Sequence, residues 1–347
     1  MRLSQLLAPF FISVVVASAH AADKESNMTI TSNMRPWCFG HFMLDRPEHS
    51  EVSAQHFAYD GYSIETVRNV SNAMFASRVA AREQELRAKT RDDPTRSGAA
   101  FHTNVPWLER IDAIAPNARS LSFAGIQAEG NDAMFNVEAY VHDQTTLYIL
   151  KTKAERQYVN NKLVSRDGGL FTSIRYRDNW TVPTEKGFCF DGGLIGGNQR
   201  TSEDVVQTFA LDPGKAAMLN VTIREALDAD ARTSLSTGEL RSKLDRAGVG
   251  ASVTILRESK RQIAGMEAQE VLLSIGEGST HLYRFYLLAP GKPGSIASPH
   301  MAVEMALGDV SSGGKLTAQN ASPLDPASAM AAWDKLVGTI RLRPGAL

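Results

Sequence analysis

The fold is read from Gln55-His56-Phe57-Ala58-Tyr59-Asp60-Gly61-Tyr62-Ser63-Ile64-Glu65-Thr66-Val67-Arg68-Asn69-Val70. Two runs rich in aromatic and β-branched residues, Gln55 to Tyr59 and Tyr62 to Val70, flank Asp60-Gly61. Asp-Gly tolerates the positive φ values of a tight hairpin turn, so an antiparallel strand pair is expected here. Ser71 or Asn72 caps the next element, Ala73 to Thr90. There Phe75, Val79 and Leu86 share one face among Arg, Glu and Gln, as in an amphipathic helix. Upstream, Trp37 to Leu44 reads as a strand closed by Asp45-Arg46-Pro47, and downstream Asp92 to Ser97 reads as a polar turn.

Further along, Leu121 to Ile126, Ala133 to His142 and Thr145 to Lys151 alternate as a meander, followed by a helix over Glu155 to Arg166. The order then recurs. Asp204 to Leu211 and Ala217 to Arg224 pair around Pro213-Gly214, and a helix over Thr237 to Ala247 follows a cap at Ser236. Val253 to Ser274 (turning near Ile263 to Gly265), Thr280 to Leu288 and His300 to Ala306 make a second meander, and a helix over Pro326 to Thr339 ends it. Strand pair, helix, meander, helix twice over points to duplication. The expected class is α+β: two similar lobes, each an antiparallel sheet with packed helices. The boundary falls within residues 180–200.

The ends set the address. Arg2 gives a short positive start, Leu6 to Val16 an apolar run, and Ala19-His20-Ala21 small residues at a cleavage site. That is the order of a secretory signal, with cleavage expected near Ala21. A spanning helix needs about 20 apolar residues; this run is shorter and ends in the polar Asp23 to Asn27. Loss of residues 1–21 leaves 326 of the 347, a length for two domains, 22–182 and 183–347. The formal charge of −1 becomes −2 with Arg2 gone, which gives no reason to expect nucleic acid or an anionic membrane as partner. The mature chain is expected to be soluble and periplasmic.

Only Cys38 and Cys189 are present. In an oxidising compartment the pair reads as one disulfide; two separately buried thiols is the other arrangement.

Catalytic patterns are missing from the sequence. It has no G-x-S-x-G elbow and no S-x-x-K with its partner motifs. Ser279, in Gly276-Glu277-Gly278-Ser279-Thr280, lacks the following glycine and reads as a hairpin turn. His41, His49, His56, His102, His142, His281 and His300 are scattered without zinc spacing. Gly192-Gly193-Leu194-Ile195-Gly196-Gly197 has neither the Lys-Ser/Thr nor the register of a phosphate loop, and reads as a tight turn or close packing beside Cys189. Asp92/Asp93 and Asp228/Asp230 fall in polar turns, where solvated charge is expected. Sequons begin at Asn27, Asn69, Asn179, Asn220 and Asn320. The sequence assigns no catalytic, cofactor or metal residue, and the balance tips toward a binding protein.

Three stretches carry a family resemblance. Cys38-Phe39-Gly40-His41-Phe42-Met43-Leu44-Asp45-Arg46-Pro47 resembles the opening motif of the lipase-immunity proteins of type VI secretion, the fourth Tle-cognate immunity family. His41 stands where that family tends to have Arg. Gly187-Phe188-Cys189-Phe190-Asp191-Gly192-Gly193 resembles its second Cys motif. Ala332-Trp333-Asp334-Lys335-Leu336 with Ile340-Arg341-Leu342-Arg343-Pro344-Gly345-Ala346 is similar to its C-terminal signature. The resemblance implies a two-domain, claw-like periplasmic immunity protein that binds a phospholipase effector and has no activity of its own. An exported esterase or lipase-like hydrolase, its catalytic set meeting only in the fold, is the alternative. Trp107 and Trp180, in expected loops, are candidate anchors for a partner, with core packing the competing role. The effector-binding residues are not assigned. Gly40, Trp333 and Arg341 read as scaffold: a close backbone approach, a core aromatic and a terminal charge partner.

Overall fold

The computed structural model describes residues 30–93, 102–124, 134–197, 202–233, 235, 238, 242, 246, 252–277, 280–309, 316–317, 319–322 and 324–347. The expected export signal lies outside these, as does Ser279; the helix expected over Thr237 to Ala247 lies largely outside them. The first half contributes strands β1 (Met34–Phe39), β2 (Phe42–Pro47), β3 (Glu51–Tyr59), β4 (Tyr62–Arg68), β5 (Thr90–Asp93), β6 (His102–Pro106), β7 (Leu108–Ala115), β8 (Ala118–Ala124), β9 (Met134–Asp143) and β10 (Thr146–Glu155). Then come β11 (Ile174–Tyr176), β12 (Gly187–Phe190), β13 (Gly193–Gly196), β14 (Glu203–Ala210) and β15 (Ala217–Arg224). The chain closes with β16 (Val253–Ile263), β17 (Met266–Glu277), β18 (Thr280–Ala289), β19 (His300–Leu307) and β20 (Arg341–Leu342). Helices span Asn72–Ala88, Arg156–Asn161, Leu163–Thr172 and Pro326–Val337. The class is α+β, mostly antiparallel sheet with a few helices.

Twelve strands form one sheet in the order β16-β17-β18-β19-β15-β14-β3-β4-β10-β9-β8-β7. Outward from its centre, each half has the same topology. A hairpin comes first (β3-β4 or β14-β15), then a four-stranded meander laid back against it in reverse (β10-β9-β8-β7 or β19-β18-β17-β16). The duplication in element order is thus a duplication in strand order. In one respect the lobes differ from expectation: their sheets are not separate. β3 and β14 pair antiparallel from Glu203↔Tyr59 to Ala210↔Glu51, with a bulge at Thr208/Phe209. The antiparallel pairing of equivalent strands relates the halves by a pseudo-twofold at that seam.

Alternation decides the faces. In β14 the odd positions Val205, Gln207 and Phe209 are buried and the even ones half-buried; β15 buries Ala217, Leu219, Val221 and Ile223 in the same way. These buried rows open onto the main core. Against these and the matching rows of the other strands pack Trp37, Phe39, Phe42, Phe188, Phe190 and Ile195 of the small sheets β1-β2-β20 and β11-β13-β12, together with helix residues such as Phe171 and Trp333. A second, smaller core lies on the other face. There Phe75, Val79 and Leu86 of the helix Asn72–Ala88 pack on Leu121, Phe123, Tyr140, Leu147 and Ile149. Ser71 caps that helix, its hydroxyl accepting from Met74 N–H at 3.2 Å.

Three local expectations need correcting. Asp92 and Asp93 do not lie in a turn: they close β5, where Asp93 pairs with His102 of β6. Trp37 to Leu44 is not one strand: it breaks at Gly40, with φ of +56°, and folds into the β1-β2 hairpin. A Cβ at Gly40 would sit 3.3 Å from Val205 Cγ2 in a conformation that L-residues rarely adopt. The helix expected over Glu155 to Arg166 begins later and runs further. Glu155 ends β10, and two helices separated at Lys162 continue to Thr172.

Candidate protein-docking face

Cys38 of β1 and Cys189 of β12 are joined by a disulfide, with Cα atoms 5.8 Å apart. Beside it Gly40 and Cys189 exchange backbone hydrogen bonds of 2.7 and 2.8 Å. The glycine run after Cys189 packs closely: Phe190 lies over Gly193, where a Cβ would be 2.2 Å from Cζ. This knot ties the first strand to the segment between the halves.

Buried polar groups fix the rest of the joint. His41 Nδ1 and Glu203 Oε2 lie 2.8 Å apart, both shut off from solvent. Trp37 Nε1–H donates to Gln207 Oε1 at 2.8 Å. The Arg46 guanidinium sits 4.1 Å from the Trp37 ring centroid, 4.4 Å from Trp180 and 5.1 Å from Phe209. It donates to the carbonyl and hydroxyl of Ser50, each at 2.7 Å, and burial brings it down to about 10. Arg343 donates to the carbonyls of Pro183, Glu185 and Gly187, each at 2.7 Å, and so shapes the approach to β12. Arg341 reaches Asp45 at 2.9 Å, and Trp333 is fully buried.

The seam stiffened in this way has a face that the helices leave open. Following the register across the sheet, one row reads His56, Val206, Thr222, Ala302. The next reads Ala54, Thr208, Asn220, Glu304, Tyr286, and a third Glu51, Ala210, Met218, Ala306, Arg284. All of these are half-buried or exposed, and Met218 is among the most exposed large apolar side chains. Toward β10 and β9 the same face passes under the helix Asn72–Ala88. Toward β17 it is covered again: Val271 and Leu273 are buried, and Leu235 N–H donates to Gln269 Oε1 at 2.9 Å. Between the covered ends lies a band centred on four strands, β3, β14, β15 and β19, about 20 Å wide at the usual strand spacing, with Tyr286 and Arg284 of β18 at its margin.

Short side chains on this band let a partner's backbone come close, and Met218 offers an adaptable apolar contact. Thr208 donates to Asn220 at 3.0 Å, leaving the floor polar but paired. Such a surface suits protein binding, in which small contacts surround a few anchors.

Other residues singled out in the sequence lie elsewhere. Trp180 packs against the main core, 5.0 Å edge-on to Trp37, and Trp107 packs against the smaller core. Both serve packing. Asp230 is not a solvated turn residue. It is buried, accepting two 2.7 Å hydrogen bonds from Arg224 and one of 2.8 Å from Leu227 N–H. His142 stacks on Phe75 and bonds to Val70 O at 2.7 Å, and His300 lies 3.5 Å from Asp230. Among the described residues no group of three or more His, Cys, Asp or Glu is placed to hold a metal ion. No helix among them is long and apolar enough to cross a membrane. Sequence reasoning missed Glu203, Gln207 and Arg343; only the family-like C-terminal stretch pointed at the last of them.

Comparison with curated protein sequences gave no match. Among solved structures, the fold is similar to a chain of the crystal structure of the Tle4-Tli4 complex. That match has a TM-score of 0.75 and 21% identity over 91% of this chain and 99% of that one. It is also similar to the apo immunity protein TplEi of the type VI secretion system from Pseudomonas aeruginosa, at TM-score 0.72 and 19% identity, with the same coverage. TplEi complexed with "L" peptide matches at TM-score 0.69 and 19% identity, over 90% and 99% of the two chains. At these identities the likeness establishes the fold. The family itself is given by two sequence profiles, Tle cognate immunity protein 4 N-terminal domain over residues 35–178 and C-terminal domain over residues 181–345. With both domains matched in order along nearly the whole chain, the protein belongs to the Tle cognate immunity protein 4 family.

Proposed function

We propose that this chain neutralises a Tle phospholipase effector by gripping it against the open band of the twelve-stranded sheet. The observation that carries this reading is the sheet itself. Two six-stranded units of the same topology are fused at β3·β14 and covered at both ends, leaving bare the four strands around the seam. In the claw-like arrangement the covered ends act as two walls, and the joint of Cys38–Cys189, His41–Glu203 and Arg46 holds them at a fixed separation. Preorganisation of this kind lowers the ordering cost of binding.

The same reading makes residues 1–21 a cleaved export signal and residues 22–182 and 183–347 the two domains, with the mature protein waiting in the periplasm where an injected lipase arrives. A disulfide spanning 151 residues suits that oxidising compartment. The chain acts by occupancy, without turnover. To test this, the purified chain is mixed with the lipase encoded beside its gene, and complex and lipolysis are followed together. An equimolar complex with lost lipolysis supports the reading. Separate elution with lipolysis intact, or ester hydrolysis by the chain alone that a single substitution abolishes, overturns it.

A further inference from the structure

The twelve-stranded sheet ends in two unlike edges. At one end β7 is broken by two bulges, and its charges are taken up within the chain: Glu109 by Arg91 and Arg156, and Arg110 by Asp112 and the carbonyl of Asn160. At the other end β16 runs for 11 residues. Its single bulge lies near the start, at Ile255/Arg257, and from Arg257 to Ile263 the pairing with β17 is unbroken. Among the described residues no backbone hydrogen bond other than those to β17 reaches β16. An edge of this length presents a row of unused N–H and C=O groups, a template for another strand.

Side chains along β16 are sorted by face. Arg257 and Arg261 turn toward the helix Pro326–Val337, where they reach Asp334 at 2.6 and 3.0 Å, and both also meet Glu270. The Ser259 hydroxyl donates to Glu270 on the same side at 2.7 Å. Glu258, Lys260 and Gln262 alternate with these on the opposite face and are exposed. Lys260 has no hydrogen bond or ion pair among the described residues. A lysine on an edge strand ordinarily keeps other strands away. One strand answers its charge.

That strand is β16 itself. Two copies joined edge to edge in one sheet are related by a twofold normal to it. Facing residues must then point to the same side, and the register centres on a single residue. Of the centres from Arg257 to Arg261, only Ser259 sets opposite charges against each other. There Glu258 faces Lys260 of the second copy, and the contact occurs twice. Centring on Glu258 or on Lys260 sets like charge against like, which is unfavourable directly across a ladder. In the Ser259 register Arg257 faces Arg261 of the second copy, and Glu270 and Asp334 of each chain already offset both.

We propose that β16 pairs antiparallel with β16 of a second copy, centred on Ser259, so that two chains share one continuous sheet. The same kind of junction, antiparallel and between equivalent strands, fuses the two halves of the chain at β3·β14. Pairing edge to edge leaves both faces of the sheet free, so each copy keeps its docking band. A ladder with two ion pairs and little apolar burial is a small interface, and the association is expected to be weak and concentration-dependent.

Sedimentation equilibrium of the full mature chain over a wide concentration range tests this, and monomer and dimer are expected together. Glu258→Lys sets only cations across the junction and Lys260→Glu only anions. Each variant alone is therefore expected to dissociate about tenfold or more readily. Mixed in equal amounts, the two variants set opposite charges against each other again, and the dimer should return. A chain carrying both reversals should dimerise like wild type, so a folding defect in one single variant cannot mimic the result. Wild-type chain that stays monomeric at every concentration overturns the proposal and leaves the edge to a strand of a different protein. A dimer indifferent to the single reversals overturns it too, as does one that neither the mixture nor the doubly reversed chain restores.

Discussion

His41 Nδ1 and Glu203 Oε2 lie 2.8 Å apart where the turn between β1 and β2 meets the first residue of β14, and neither side chain reaches solvent. The pair couples the N-terminal hairpin to the strand that fuses the two halves. Removing either partner strands the other polar group in the core. His41→Ala and Glu203→Ala are each expected to destabilise by about 3–5 kcal/mol. The double variant should cost clearly less than the sum of the two. Urea unfolding of the four proteins measures this; additive losses would mean that the contact couples nothing.

The disulfide between Cys38 and Cys189 closes a loop of 151 residues in sequence separation. On the chain-entropy model such a closure stabilises by as much as about 5 kcal/mol. Cys38→Ser with Cys189→Ser should therefore lower the denaturant midpoint markedly, and wild-type protein should alkylate only after reduction. Two thiols that alkylate in the native, unreduced chain would contradict the bond.

Arg46 is held by flat contacts with Trp37, Trp180 and Phe209 and by two hydrogen bonds to Ser50. Lysine keeps the charge but loses the planar stacking and the fork of donors. Arg46→Lys is expected to destabilise by about 1–3 kcal/mol. Arg35→Lys, at an exposed arginine 4.7 Å from the same Trp180 ring, should be nearly neutral. Thermal melts of the two variants separate the cases, and equal shifts would argue against the cage.

Acid should weaken the second half in two stages. Hydrogen bonds from Arg224 hold the Asp230 carboxyl well below the usual carboxylate range against the opposing effect of burial, helped by Leu227 N–H. Its folded value lies below the unfolded one, so this stability is complete above about pH 4 and is lost as pH falls toward the folded value. Burial, and then Arg224, lower His300 from its ordinary value. The unfolded chain therefore takes up that proton first, and stability also declines as pH drops below about 6.5. Unfolding midpoints between pH 8 and 3 should show both limbs. His300→Gln should flatten the upper limb and Asp230→Asn the lower; limbs unchanged in both variants would refute the assignment.

Local chemistry wrote much of this fold visibly into the chain. Asp60-Gly61 turns the hairpin as expected, Phe75, Val79 and Leu86 are the buried face of the first helix, and the repeated element order matches a repeated strand order. β7 was not legible because it is an edge strand. Glu109, Arg110 and Asp112 interrupt its alternation, and two bulges break its pairing with β8. The helix after β10 was foreshortened because Gly168-Gly169 discourages helix where packing nevertheless imposes it. The β3·β14 seam joins segments about 150 residues apart and leaves no local signature. The docking band was invisible for a related reason: Ala54, Val206, Thr222 and Ala302 become a surface only when four strands align them.

That band carries the central claim, and one titration tests it most directly. Lipolysis by the effector is measured against increasing amounts of wild-type chain and of Thr222→Arg, which sets a long charged side chain on the floor and leaves the core face of β15 untouched. The expected result is complete inhibition near equimolar wild-type chain, with Thr222→Arg melting normally yet inhibiting only in large excess. Full inhibition by equimolar Thr222→Arg would contradict the account.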